Sequence, residues 1–155
     1  MSFKISFLKD IQVGVLFSIL ITFFFYITFV RLFPGFFVFA DIYFALGSII
    51  GVVYVSKTLK GDKPTLKYGV TTGLIGGFLS SFFISLYEWA VYSVTWGWFI
   101  SIFFSVLLYL IVSGLVIGLL VGALTSAYFM YKDAKMEGRG DDYTGDSLFK
   151  DLTEE

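Results

Sequence analysis

Apolar residues run almost unbroken from Ile11 to Tyr131, and a few polar or turn-forming positions divide the run into four segments. The first, IQVGVLFSILITFFFYITFV, covers 11–30. Phe33-Pro34-Gly35 leads into a second over 36–55, and a loop carrying Lys57, Lys60, Lys63 and Lys67 leads to a third over 68–95. Thr95-Trp96-Gly97-Trp98 then opens a fourth over 98–131. A bilayer core takes about 20 apolar residues per helix, and each segment meets that length. In hydrocarbon no water is available to the backbone, so an open-ended segment satisfies its own amides only as a helix. The pattern predicts an all-α membrane protein with four transmembrane helices over 11–131. Residues 1–10 are expected to lie along the membrane interface, and 132–155 to form an acidic tail.

Lys4 and Lys9 precede the first segment as they would in a secretory leader. Its apolar core is too long for one, and no small-residue cleavage site follows in Thr28-Phe29-Val30-Arg31, so it reads as an uncleaved anchor. Lysine and arginine bias in short loops sets orientation. The N-terminus, the middle loop and the start of the tail (Lys132, Lys135, Arg139) carry most of the cations, whereas the opposite side offers only Arg31. Both termini are therefore expected in the cytoplasm. That orientation also places Trp89, Trp96 and Trp98 at the outer interface, where indoles are favoured.

Composition narrows the functions. A mean hydropathy of +0.86, with 57% apolar and 21% aromatic residues, leaves little chain for a soluble module. There is no cysteine and no histidine. Disulfides, thiol nucleophiles, imidazole bases and the usual zinc and copper ligand sets are thereby excluded. No catalytic residue, metal site or cofactor is predicted, and an enzyme is not expected. No basic face interleaved with aromatics lies outside the apolar segments, so nucleic-acid binding has no support.

Small residues recur every four positions. The third segment carries Gly69, Gly73, Gly77, Ser81 and Ser85, with Gly76 beside the row; the fourth carries Gly114, Gly118, Gly122 and Ser126; the second carries Gly47 and Gly51. Such rows let helix backbones approach, with right-handed crossings near about −40°. They predict helix packing within the chain, with homodimerisation as the alternative. The spacing also fits two tandem helix hairpins. Leu8-Lys9 then matches Leu66-Lys67, Phe24-Phe25 matches Phe82-Phe83, and Gly47 and Gly51 match Gly114 and Gly118. The glycine rows fall in the expected cytoplasmic half and bulky aromatics in the outer half. That half is either filled by its own rings or open to a lipid or other apolar ligand; self-filling is the simpler expectation.

Three charges lie inside the apolar segments: Arg31, Asp41 and Glu88. A buried ionisable group in a span costs several kcal/mol and marks either a structural pair or an ion-handling site. All three are expected near the outer interface, which favours a structural cluster tying three helices together over a proton or cation site. On that reading Arg31→Ala lowers thermal stability in detergent more than Glu88→Gln does. Glu88 is expected on the glycine face of its helix, between the directions of Gly77 and Ser81. Ser18, Thr22 and Tyr26 form a hydroxyl row on the first segment, and Ser101 and Ser105 another on the fourth. Bonds to their own helix or a neighbour explain both rows.

The tail holds six acids against one lysine from Gly140 onward. Near its end, Leu148, Phe149 and Leu152 would share one face of a short helix capped by Asp146. A solubilising tail and a docking motif for a cytoplasmic partner both fit.

The stretch from Ala45-Leu46-Gly47 to Gly69-Val70-Thr71-Thr72-Gly73-Leu74-Ile75-Gly76-Gly77 resembles small glycine-rich four-helix integral membrane proteins of prokaryotes, a group of uncharacterised function. The resemblance covers part of the chain and implies a prokaryotic cytoplasmic-membrane address and no particular activity. Three functions stay open: a non-catalytic membrane subunit or scaffold, an ion- or proton-coupled transporter or channel working as a dimer, and a binder of lipid or apolar ligand. The expected partners are the bilayer, other membrane subunits or a second copy.

Overall fold

The computed structural model describes residues 2–32, 40–58, 66–97 and 99–136. These form four α-helices: α1 (Ser2–Leu32), α2 (Ala40–Thr58), α3 (Leu66–Trp96) and α4 (Ile100–Met136). Both prolines of the chain, Pro34 and Pro64, fall between helices. This is where a residue that lacks an amide proton and restricts its predecessor belongs. No β-strand occurs among the described residues. Three helices contain stretches long and apolar enough to cross a membrane: 9–30 in α1, 66–94 in α3 and 100–133 in α4. The described part of α2 is 19 residues long, and the expected start of its segment at 36–39 lies outside the described residues.

α1 runs as one helix from Ser2, through the residues expected at the interface. Neither glycine nor proline occurs before Gly14 to interrupt it. The long fourth segment is one continuous helix of 37 residues, about 56 Å at the helical rise, and it continues through Lys132 and Lys135. Between α3 and α4, Gly97 adopts φ 91°, the left-handed region that closes a helix. Its amide donates to the Ser93 carbonyl at 3.1 Å, and the Phe99 amide donates to the Gly97 carbonyl at 2.9 Å.

Each helix touches the others except for α1 and α4, which scarcely meet. The centre belongs to α3. Half of its apolar stretch is buried within the protein, against 28% for α1 and 17% for α4. The two hairpins, α1–α2 and α3–α4, are built on the same contact. A Cβ on Gly51 would sit 2.5 Å from the Gly14 carbonyl oxygen, and one on Gly118 would collide with the Gly73 carbonyl oxygen. One turn along, Gly47 faces Ser18 and Thr22, as Gly114 faces Gly77 and Ser81. Superimposing these contacts shifts α1 one residue further along α3 than the Leu8-Lys9 to Leu66-Lys67 match suggests.

Candidate functional site

On α3 two rows of small residues run side by side. Gly69, Gly73 and Gly77 face α4, and a Cβ at each would meet the carbonyl oxygen of Gly122, Gly118 or Gly114 respectively. Ser81 continues the row. Its hydroxyl lies 2.8 Å from the Gly77 carbonyl of its own helix and 2.9 Å from the Leu110 carbonyl of α4. Ser85 donates to the Ser81 carbonyl at 2.7 Å. At this seam the backbones themselves are the packing surfaces, and the serine hydroxyls on it are all hydrogen-bonded.

The second row, Thr72-Gly76-Ser80, precedes Gly73, Gly77 and Ser81 by one residue each and turns towards α1. The place of a Cβ on Gly76 is 2.6 Å from Ser18 Oγ, and the Thr72 methyl lies 3.3 Å from that of Gly14. Across α1, Ser18 and Thr22 fill the notches at Gly51 and Gly47 of α2. The hydroxyls of Ser18, Thr22, Thr72 and Ser80, with that of Ser48 on α2, are buried and make no hydrogen bond. Two seams built from the same residue types are therefore chemically unlike: one is satisfied, the other is not.

At the end where α1 and α3 finish, the Tyr26 hydroxyl donates to Glu88 Oε1 at 2.9 Å, and both residues are buried. Rings enclose the pair. Tyr26 packs edge-on to Tyr43 with centroids 6.1 Å apart, Phe29 stacks on Tyr43 at 6.0 Å, and Phe23 meets Tyr87 edge-on at 5.8 Å. Tyr26, Tyr43, Phe44, Ile84 and Leu110 form one buried cluster.

Of the three charges within the apolar segments, Glu88 is placed in the interior, at 6% exposure. Asp41 lies exposed in the first turn of α2. Arg31 belongs to the last turn of α1, and its side chain lies outside the described residues. The expected grouping of all three therefore lies partly outside the described residues. Glu88 is buried, and its bonded neighbour there is Tyr26 of α1. A row of every fourth residue drifts about 40° around the helix per step, so the strip facing each neighbour spirals. Glu88 shares an azimuth with Gly77 but lies three turns higher, where α1 occupies that direction.

Gly14, Thr72, Ser80 and Ser48 join the site without having been singled out from sequence. Thr72-Gly76-Ser80 repeats the spacing of the neighbouring glycine row, and that spacing was the available signal. Ser101 and Ser105 are exposed on α4 and take no part. Leu148, Phe149 and Leu152 lie outside the described residues. Comparison with protein-family models, curated proteins and solved structures finds no match to this chain.

Proposed function

We propose that this chain is a four-span integral membrane protein, with both termini in the cytoplasm, that serves as a non-catalytic subunit or scaffold. Reciprocal carbonyl-to-glycine contacts between α3 and α4 carry this reading. They support a glycine-zippered bundle whose small-residue faces are used within the chain. The faces turned outward are bulky and apolar, as with Leu108, Val112 and Leu124 on α4, and suit lipid or neighbouring subunits. The four-lysine loop and the cations after α4 support the orientation.

Purification in mild detergent followed by native mass measurement tests the proposal. A discrete assembly with other polypeptides supports a subunit role; a lone monomer without partners overturns it. The buried Tyr26–Glu88 pair favours a second reading, an ion- or proton-coupled transporter acting as a dimer. Flux into liposomes that is lost in Glu88→Gln would decide for it. Lipid binding in the aromatic half is the weaker alternative, since Tyr26, Tyr43 and Phe44 pack there against one another.

A further inference from the structure

Ser81, Ser85 and Ser93 on α3, and Thr58 on α2, donate to the carbonyl four residues back, at 2.5–2.9 Å. That is the usual outlet for a hydroxyl in a helix. Ser18, Thr22, Thr72, Ser80 and Ser48 do not use it, although each is at most 1% exposed. A buried hydroxyl without a partner costs about 1–3 kcal/mol. The Cα–H groups of the glycine notches that receive Ser18 and Thr22 return only a weak contact. Thr72 and Ser18 flank the contact between α1 and α3, whereas Thr22 lies against Gly47 of α2. The four-residue step along either row is about 6 Å, more than two O–H···O bonds of about 2.8 Å each span. Water entering the seam would therefore bond across it, to hydroxyls of both helices and to further water, which supplies the two or more polar partners that a buried water requires.

We propose that the seam between α1 and α3 is a water path. It admits water from the end where these helices begin, past Thr72, Ser18 and Ser80, to the Tyr26–Glu88 pair. Each hairpin is closed internally by backbone contacts, whereas the contact between α1 and α3 rests on hydroxyls that gain bonds when water enters. Slight rocking of one hairpin against the other is enough to open it. The α3–α4 seam, with its hydroxyls already bonded, stays dry. The proposal rests on the membrane-spanning reading and not on the subunit role.

The cysteine-free chain allows a direct test in liposomes with a small cationic methanethiosulfonate. Ser18→Cys and Ser80→Cys are expected to react about tenfold faster than Ser81→Cys and Ser85→Cys, the difference between a locally opening and a closed seam. Equal rates, or reaction only with an uncharged lipid-soluble reagent, overturn the proposal. Leu120→Cys, on the exposed face of α4, is expected not to react with the charged reagent. Rapid reaction there would overturn the membrane reading itself, and the water path with it. The unaltered protein gives a second readout by water-edited solid-state NMR. Transfer from water to the β-carbon of Thr72 should approach that to exposed Thr58; no transfer overturns the path.

Discussion

At Gly73 a single added methyl would land on the Gly118 carbonyl oxygen, and backbone yields less readily than a side chain. Gly73→Ala is therefore expected to lower stability by about 1–3 kcal/mol, the usual cost of overpacking. Ile75→Val, on an exposed position of the same helix, should change it by less than about 0.5 kcal/mol. Reversible unfolding in mixed micelles measures both; equal losses would mean that the α3–α4 backbones are not in contact. The Tyr26–Glu88 bond makes a second prediction at this scale. Tyr26→Phe removes the donor from a buried carboxyl group and should cost about 1–3 kcal/mol. Glu88→Gln keeps an oxygen that accepts from Tyr26 and should cost less. The reverse order, read in the same unfolding assay, would assign the stabilising contact of Glu88 to another neighbour.

Between elements, the two hairpins should behave as separate packing units. Gly77→Ala and Gly114→Ala act on one contact, so together they are expected to depart from additivity by about 0.5–3 kcal/mol; Gly77→Ala with Gly47→Ala should add. A double-mutant cycle of unfolding free energies distinguishes the cases. The elements themselves were largely legible in sequence, because four apolar runs bounded by proline, lysine and glycine leave few other ways to satisfy the backbone. The row from Gly69 to Ser81 was legible too, since spacing alone marks a face. Which neighbour meets a row was not. That depends on how far the contact strip spirals, and it is why Glu88 appears to share the direction of Gly77 yet reaches Tyr26. Thr72 and Ser80 were hidden for a different reason: a hydroxyl bonded to its own helix and one left without a partner are spelled the same way.

For the whole molecule, orientation gives the clearest prediction. A reporter joined before Ser2 and another after Met136 should both be cytoplasmic, and replacing Lys57, Lys60, Lys63 and Lys67 with glutamine should weaken that bias. Opposite locations for the two reporters would require an odd number of crossings. The central place of α3 has a further consequence for biogenesis. The helices leave the ribosome in order, so α1 and α2 are complete as a pair before α3 exists. On arrival α3 finds α1 ready to receive Thr72, Gly76 and Ser80, but its opposite notches at Gly69, Gly73 and Gly77 stay open until α4 follows. For that interval the nascent protein carries a groove of bare backbone facing lipid. A chain stalled after Trp96 would be the form most readily captured by a membrane chaperone or captured wrongly by another small-residue helix.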